Sequence, residues 1–180
     1  MRDIKIELHK PTFDELKFRE DCMSDLNTMS YNAGYDVSYE GYHRDTGCID
    51  FPKSKWSAWI ENKLSNPNFF YAYIKDIKNN MFIGYVNFNK NPETKIATMG
   101  IVVKSEFRGQ GYMRPAMEKL IEKAKEYGVI CLTDTVPESR QSALNVFYSL
   151  GFVKIRQFVG KKFGNDEIVA VIEKRLIEMK

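Results

Sequence analysis

The sequence is poor in the residues that build metal centres and disulfide frameworks. Its 180 residues include three cysteines and two histidines. The cysteines, Cys22, Cys48 and Cys131, are odd in number and far apart, so they fit neither a disulfide framework nor a zinc-binding pattern. With only His9 and His43 to add, the sequence predicts no metal site. Few, scattered thiols also indicate a reducing compartment, the cytoplasm.

Long apolar runs and basic clusters are missing as well. No stretch approaches the roughly 18 consecutive apolar residues of a membrane-spanning helix, and the N-terminal residues lack the apolar segment of a signal peptide. The net charge is only +3 and no basic run is longer than Lys161-Lys162, which argues against nucleic acid as a partner. At 43% hydrophobic and 28% charged residues, the composition is typical of one globular domain, residues 1–180.

The sequence does contain a regular succession of strand and helix patterns. Alternating apolar residues predict a strand at 3–9, and helical patterns begin at Thr12 and Pro52 on either side of an irregular loop, 30–51. The remaining predicted elements are strands at 69–74, 81–89 and 95–103, a helix at about 111–127, a strand at 129–136, a helix at 138–150, and strands at 152–160 and 167–174. The order, β-α-α-β-β-β-α-β-α-β-β, predicts an α/β (α+β) domain. We expect a mixed, mostly antiparallel sheet of about seven strands with helices on both faces.

The stretch FRGQGYMRP, residues 107–115, lies where the strand at 95–103 leads into a helix. The N–H groups in the first turn of a helix have no intrahelical acceptors, and the helix dipole adds partial positive charge there. Gly109 and Gly111 carry no Cβ, so the backbone can come close to a ligand. The stretch therefore predicts an anion site suited to phosphate or pyrophosphate. The alternative is a tight strand-to-helix turn that binds nothing.

Two other phosphate-binding motifs do not fit this spacing. A P-loop requires Lys-Ser/Thr directly after its second glycine, and Tyr112 and Met113 stand there. The dinucleotide fingerprint requires a third glycine where Arg114 stands, although Asp134 lies near the position of its acidic residue. A dinucleotide-dependent oxidoreductase thus has little support.

Residues 100–113, GIVVKSEFRGQGYM, resemble the strand-loop-helix signature Arg/Gln-x-x-Gly-x-Gly/Ala of the GNAT superfamily of acyl-CoA-dependent N-acyltransferases. Residues 142–152, SALNVFYSLGF, are similar to the Ala-x-x-x-Tyr-x-x-x-Gly-Phe segment of the same family. The resemblance is best over residues 80–155, and the element order of the whole chain agrees with it. It implies an acyl-CoA-binding core at 80–155, with acceptor-side helices and loop at 12–66.

The resemblance also implies that acetyl-CoA is the acyl donor. Backbone N–H groups of the loop would bind its pyrophosphate, and the backbone of Ile101 and Val103 would pair with its pantetheine arm. An N–H of Val102 or Val103 would stabilise the oxyanion that develops in the reaction. The other residues assigned to the cofactor are Arg108, Gly109, Gln110, Gly111, Tyr112, Met113, Arg140 and Phe147.

Two positions that handle protons in the family depart from its pattern. Phe147 stands where many members carry a tyrosine that protonates the leaving thiolate. Thr98 stands where many carry a glutamate that helps to deprotonate the amine. Tyr148 is adjacent to Phe147, but one step along a helix turns a side chain by about 100°. Tyr148 is therefore a candidate acid, with protonation by water as the alternative.

Three residues are candidates for the base that deprotonates the amine. Asp134, at the end of the fifth strand, is the first choice. Glu138 just beyond it and His43 in the early loop are the others. The alternative for Asp134 is a carboxylate that only caps the strand or the next helix.

The segment 21–50 is acidic and aromatic, with six carboxylates, one arginine and four tyrosines. Carboxylates attract a cationic amine, and tyrosine rings stack on cations. Tyr31, Tyr35, Asp36 and His43 are therefore candidate acceptor-binding residues. The alternative is a solvated acidic loop whose tyrosines pack against the protein.

Together these features predict an enzyme that moves an acetyl group from acetyl-CoA to a primary amine of a small molecule or peptide, by direct attack in a ternary complex. The missing proton-handling side chains motivate an alternative, a catalytically weak acyl-CoA-binding or sensor module. The resemblance is compatible with a monomer or a homodimer, since the last strands often take part in dimers in this family.

Overall fold

A computed structural model of the protein describes residues 4–177 and contains a seven-stranded sheet. The strands are β1 (Ile6–His9), β2 (Phe69–Asp76), β3 (Met81–Lys90), β4 (Ile96–Val103), β5 (Cys131–Pro137), β6 (Val153–Lys162) and β7 (Asn165–Arg175). Their order in the sheet is β1-β2-β3-β4-β5-β7-β6. Strands β4 and β5 are parallel, and the other neighbours are antiparallel. The predicted mixed, mostly antiparallel sheet is confirmed.

Five α-helices accompany the sheet in the described part of the chain. They are α1 (Leu16–Ser24), α2 (Leu26–Met29), α3 (Trp56–Trp59), α4 (Met113–Glu126) and α5 (Gln141–Ser149). Short 3-10 turns lie at Ser30–Asn32, Lys53–Lys55 and Ser105–Phe107, and a π-helical turn, Ile60–Leu64, continues α3. Within residues 4–177, no helix combines the length and the apolar content needed to cross a bilayer.

The side-chain alternation of β2 shows how the two faces of the sheet are covered. Ala72 and Ile74 belong to the main core, together with the buried side chains of α4 and α5. Tyr71 and Tyr73 point to the opposite face, where they pack against Cys22 of α1 in an aromatic cluster. Helices therefore lie on both faces, as predicted, with α4 and α5 on one and α1 on the other.

The first helical pattern is interrupted where the sequence predicted a continuous helix to Met29. The Glu15 carboxylate accepts the Thr12 N–H at 2.8 Å, as a capping box requires, but the α-helix begins only at Leu16. At Asp25 the backbone is extended, and the Asp25 side chain accepts the Asn27 N–H at 3.2 Å. Aspartate is a preferred N-cap, so this residue ends one helix and starts the next.

Other elements begin within a few residues of their predicted positions. Helix α4 starts at Met113, two residues after Gly111, and α5 at Gln141 instead of 138. Strand β1 begins at Ile6, while residue 3 of its predicted range lies outside the described residues. Gly128 and Gly151 follow α4 and α5 with positive φ values of 70° and 83°, as is typical of glycines that end helices.

Candidate active site

Strands β4 and β5 separate partway along their length. Their parallel pairing consists of Ile96↔Cys131, Ala97↔Leu132 and Thr98↔Thr133. Beyond Thr98, β4 continues to Val103 paired with β3 alone, and β5 continues to Pro137 paired with β7 alone. The sheet therefore opens between these two strands, and we call this opening the β4–β5 gap.

Main-chain groups of β4 face the β4–β5 gap. The Lys104 N–H donates to the Ile83 carbonyl of β3 at 2.9 Å. Because successive residues of a strand point their main-chain groups to opposite sides, Val102 also faces β3, and Ile101 and Val103 face the gap. A peptide-like chain lying in the gap would satisfy the main-chain groups of Ile101 and the N–H of Val103, whereas the Val103 carbonyl already accepts the Arg108 guanidinium at 3.0 Å. Of the two predicted oxyanion donors, Val103 is thus directed to the gap and Val102 is not.

The predicted phosphate loop connects β4 to α4 and has the backbone that its glycines suggested. Gly109 and Gly111 have φ values of 72° and 92°, a region that side chains with a Cβ rarely enter. A Cβ at Gly109 would meet nothing within 4 Å, so this side of the turn is open. Since the turn delivers the chain to the first turn of α4 at Met113, residues 109–113 fit a bound pyrophosphate.

Arg108 belongs to this loop, but its side chain is directed toward α2. The guanidinium donates to the carbonyl oxygens of Val103 at 3.0 Å, Asn27 at 3.3 Å and Thr28 at 2.6 Å. The Arg108 N–H donates to the Ser105 carbonyl at 3.2 Å. The N–H and the guanidinium of Arg108 therefore have partners within the protein, and the side chain joins the loop to α2. The predicted contact of Arg108 with the cofactor stays a prediction.

The second half of the loop is anchored through Tyr112. Its hydroxyl donates to the Asp76 carboxylate at 2.7 Å, and Asp76 is buried at the end of β2. The same carboxylate accepts the side chain of Asn79 at 2.7 Å and the N–H of Lys78 at 2.9 Å. Burial opposes ionisation, but these hydrogen bonds outweigh it and lower the pKa of Asp76. A charged, fully bonded carboxylate thus fixes the start of α4.

Asp134 is the first residue of β5 beyond its last partner on β4, Thr133. Its carboxylate accepts the Thr135 N–H at 2.8 Å. Burial raises the pKa of Asp134 to about 7, although that hydrogen bond and the Arg140 guanidinium favour the charged form. A carboxyl with a pKa near neutrality can take up and release a proton at physiological pH. The residue predicted as the base therefore has suitable acid–base chemistry at the edge of the gap.

Helix α5 places its two aromatic candidates differently. The Phe147 ring is 3% exposed in the main core and packs edge-on against Phe152 at 5.3 Å. Tyr148 is 40% exposed. Phe147 is thus held by the core, and its predicted contact with the cofactor and the acid role of Tyr148 stay predictions.

Tyr31 and Tyr35 contact the hairpin formed by β6 and β7 and the start of α5. The guanidinium carbon of Arg140 lies 4.9 Å from the centroid of the Tyr31 ring, and Lys162 donates to the Tyr31 carbonyl at 3.3 Å. The Tyr35 hydroxyl donates to the Glu167 carboxylate, and burial together with this carboxylate raises the pKa of Tyr35. The structure thus brings both tyrosines and Arg140 together. Lys162 and Glu167 were not predicted, because no local pattern shows that a distant hairpin meets this loop.

Asp36 and His43 have local partners on the surface. The Asp36 carboxylate pairs with Arg44 at 2.7 Å, and the His43 ring contacts the Asp50 carboxylate at 2.9 Å. Glu40 likewise pairs at 3.0 Å with Lys55, which lies outside the segment 21–50. Three of the six carboxylates of this segment therefore form ion pairs with a lysine or an arginine, since Asp21 also pairs with Lys17 at 2.9 Å. The acceptor roles of Asp36 and His43 stay predictions.

Comparison with known proteins agrees with this geometry. The model of the acetyltransferase (GNAT) family matches residues 35–152, while no curated protein matches the sequence. The structure resembles the yncA protein of Salmonella typhimurium, solved with its cofactor acetyl-CoA. The TM-score is 0.73 and the identity 16%, over 99% of this chain and 96% of that one. It also resembles the spermidine N-acetyltransferase of Vibrio cholerae in complex with CoA and spermine, with a TM-score of 0.77 and 15% identity over 95% of each chain.

At these identities the likeness to solved structures concerns the fold, whereas the family model spans more than half of the sequence. The open glycine loop and the β4–β5 gap fit the phosphates and the peptide-like arm of an acyl-CoA. Among residues 4–177, no three His, Cys, Asp or Glu side chains group to hold a metal ion. The chain belongs to the GNAT family of acetyltransferases and is an acetyl-CoA-dependent N-acetyltransferase.

Proposed function

We propose that this enzyme transfers the acetyl group to a primary amine of a small molecule or peptide, by direct attack in a ternary complex. The observation that carries the proposal is the position of Asp134 at the start of the β4–β5 gap. Asp134 follows the last β4–β5 pair in β5, next to the part of β4 whose backbone faces the gap. One opening therefore combines an acyl-donor site with a group that accepts protons.

Acetyl-CoA, when bound, supplies a thioester carbonyl that an amine can attack. Residues 109–113 hold its phosphates, and the backbone of Ile101 and Val103 orients its arm in the gap. Holding two reactants in a fixed geometry is itself a large part of the rate enhancement in such reactions. The Val103 N–H serves as the hydrogen-bond donor that stabilises negative charge on the carbonyl oxygen.

Asp134 removes the proton that a primary amine must lose. With a pKa of about 7, the carboxyl is ionised in a large fraction of molecules at neutral pH, and it can return the proton to solvent. No dedicated acid on α5 is needed, because a thiol of pKa about 8.5 is a fair leaving group that water can protonate. The exposed Tyr148 therefore takes no part in proton transfer in this proposal.

Direct attack is supported by the state of the cysteines. Cys22, Cys48 and Cys131 are all buried. Burial raises the pKa of the Cys22 thiol to about 12 and also raises that of Cys131. The thiolate is the nucleophilic form, so these groups are poor candidates for an acetyl-enzyme intermediate.

The test is release of free CoA thiol from acetyl-CoA with a panel of primary amines: a polyamine, an aminoglycoside, amino acids and a peptide. We expect thiol release that depends on the amine, with an equal amount of acetylated amine by mass spectrometry. Direct attack predicts intersecting lines in a double-reciprocal plot when both substrates are varied.

Two results would contradict the proposal. Parallel lines and acetylated enzyme would indicate a covalent route. Tight acetyl-CoA binding without turnover for any amine would favour a sensor module. The variant Asp134→Asn serves as the matched negative control, and Asp14→Asn, an exposed aspartate on the surface, as the positive one.

A further inference from the structure

Arg140 carries a guanidinium that is open to solvent and has no anionic partner. The residue stands directly before α5 and is exposed. Its guanidinium carbon lies 4.9 Å from the centroid of the Tyr31 ring. In the part of the chain that the structure describes, no hydrogen bond and no ion pair engages this guanidinium. Its five N–H donors are therefore available to a ligand.

The other two cations next to Tyr31 do have hydrogen-bond acceptors. Lys162 donates to the Tyr31 carbonyl at 3.3 Å. The guanidinium of Arg108 donates to three backbone carbonyl oxygens. Of these three cations, Arg140 is thus the one whose hydrogen-bonding capacity is left for an anion.

Tyr31 holds the guanidinium of Arg140 on the face of the sheet that α1 covers. Tyr31 lies in the 3-10 turn after α2 and packs against the cluster that contains Tyr85 and Val102. The phosphate loop, in contrast, leads into α4 on the opposite face. An arginine that stacks on an aromatic ring keeps its planar fork of N–H groups for a second partner. The stacking therefore orients Arg140 toward the acceptor side of the β4–β5 gap.

Arg140 and Asp134 form a pair of opposite charges that interact without touching. Burial raises the pKa of Asp134, and the guanidinium of Arg140 opposes that rise, so the two groups are near each other. Within residues 4–177 they form no ion pair. A zwitterion complements this arrangement, with its amine next to the carboxylate and its own carboxylate next to the guanidinium.

We propose that Arg140 binds the carboxylate of an α-amino acid, whose amino group is the acceptor next to Asp134. This inference rests on the proposed function. A guanidinium and a carboxylate form two parallel hydrogen bonds, and such charge-assisted bonds are the strong ones. In an α-amino acid a single carbon separates the amine from the carboxylate, so both ends reach neighbouring protein charges at once.

Two other ligands fit this surface less well. A cofactor phosphate is the anion that the family resemblance implies for Arg140, but the ring of Tyr31 holds the guanidinium on the face opposite α4. A polyamine brings no anion and places further positive charge next to an unpaired guanidinium, which is repulsive. Spermidine is accordingly a comparison substrate that should be poor.

The first experiment compares several L-amino acids with their amides, such as L-leucine with L-leucinamide. Each pair shares the side chain and the amino group, and kcat/KM is expressed per concentration of neutral amine, because the amide lowers the pKa of the amine. We expect kcat/KM to be at least about tenfold higher for the acid, the size of one charge-assisted hydrogen bond. In Arg140→Gln this ratio should fall to about one, while the Kd for acetyl-CoA stays within about twofold.

Matched variants show whether the effect belongs to the fork of Arg140. Arg140→Lys keeps the charge but not the two parallel hydrogen bonds, so part of the preference should remain. Arg156→Gln, at an exposed arginine of β6, should keep all of it. Tyr31→Phe keeps the ring and should keep the preference, whereas Tyr31→Leu should lower it by about threefold to fivefold through loss of the cation–π contact.

A second readout does not depend on turnover. The Nε–H resonance of Arg140 in a ¹⁵N spectrum is identified by its loss in Arg140→Gln. Addition of L-leucine to the CoA complex should shift this resonance and slow its exchange with water, and L-leucinamide should leave it unchanged.

Three results would overturn the inference. The first is an equal kcat/KM for acids and amides, and the second is a higher value for spermidine than for every amino acid. The third is a shift of the Arg140 resonance with CoA alone, together with a weaker Kd for acetyl-CoA in Arg140→Gln, which would assign Arg140 to the cofactor. Any of these with amine-dependent thiol release leaves the proposed function intact. Absence of thiol release with every amine, despite a shift with L-leucine, would remove the proposed function alone.

Discussion

The proposed cofactor side and the proposed acceptor side of this enzyme use different chemical groups of the chain. The cofactor side, residues 96–126, presents main-chain groups: the turn of Gly109 and Gly111 and the unpaired edge of β4. The proposed acceptor side, residues 12–66, presents side chains, and those of Tyr31 and Tyr35 depend on partners from other elements. The comparison shows that a backbone site is encoded locally, whereas a side-chain site is completed only by tertiary contacts.

The largest expected effect is that of Asp134→Asn, which should impair catalysis and leave cofactor binding intact. Asp134→Asn should lower kcat by about a thousandfold, within the range typical for loss of a general base, because the amide cannot accept the proton of the amine. The affinity for acetyl-CoA, measured by calorimetry, should change little. An equal loss in affinity would mean that Asp134 serves the cofactor side and not proton transfer.

The same variant should gain stability at high pH, although it loses activity. The folded-state pKa of Asp134 is about 7, above the unfolded value of about 3.9, so the folded protein binds more protons between these values. Stability contributed by this group is therefore lost as the pH rises from about 4 to 7. Asp134→Asn removes that loss, so its thermal midpoint should exceed that of the wild type at pH 8 and approach it at pH 4. A lower midpoint at pH 8 would indicate a purely structural carboxylate.

The second effect concerns the cofactor side alone. Gly111 has a φ of 92°, and a Cβ there would lie 3.1 Å from Ile4 Cδ1. Gly111→Val should therefore distort the loop and raise the Kd for acetyl-CoA by about a hundredfold, equivalent to about 2.7 kcal/mol. Gly128→Val is the matched control at the other end of α4, with a φ of 70° and open space around a Cβ. Similar losses of affinity in both variants would show that the cause is instability of α4 and not the phosphate loop.

A third, smaller effect should change the KM values for acetyl-CoA and for the amine together. The Arg108 guanidinium joins Val103 of β4 to the carbonyls of Asn27 and Thr28 in α2. Arg108→Met should raise the KM values for acetyl-CoA and for the amine by about tenfold each, because the loss of charged hydrogen bonds of about 1.5–3 kcal/mol loosens their common support. A rise in the KM for acetyl-CoA alone would restore the simpler role of a phosphate-binding arginine.

The smallest expected effect lies at Tyr112. Tyr112→Phe removes one of several hydrogen bonds to Asp76, which keeps those from Asn79 and Lys78. The Kd for acetyl-CoA should rise by about threefold to fivefold, in line with a net contribution of about 1 kcal/mol per hydrogen bond. A loss as large as that of Gly111→Val would mean that the Tyr112 hydroxyl binds the cofactor directly.

The features that could be predicted from the sequence are those that depend on local patterns. The strand at 95–103, the helix ended by Gly128 and the positive φ values at Gly109 and Gly111 follow from periodicity and glycine placement, which are local. The interruption at Asp25 was missed because the apolar pattern of α1 continues to Met29, while the capping side chain acts over two residues.

The acceptor side shows where such reasoning ends. A carboxylate-rich segment was correctly noted, but its ion pairs, such as Asp36 with Arg44, depend on how the loop folds. Contacts of Tyr35 with Glu167 link residues 132 positions apart. Arg19 did leave a signal, since it stands three residues from both Leu16 and Cys22, on the buried stripe of α1. A charged residue on an apolar helical stripe is the pattern that would have indicated the aromatic rings around Arg19, those of Phe51, Trp59, Tyr71 and Tyr85.

Residue-resolved amide exchange, with and without saturating CoA, tests the cofactor site most directly. In the free protein, the N–H groups of Ile101 and Val103 face the β4–β5 gap, whereas that of Val102 faces β3. CoA should therefore slow exchange at Ile101, Val103 and residues 109–113, and leave Val102 unchanged. Unaltered exchange at Ile101 and Val103, under conditions in which calorimetry shows CoA bound, would contradict binding in the gap.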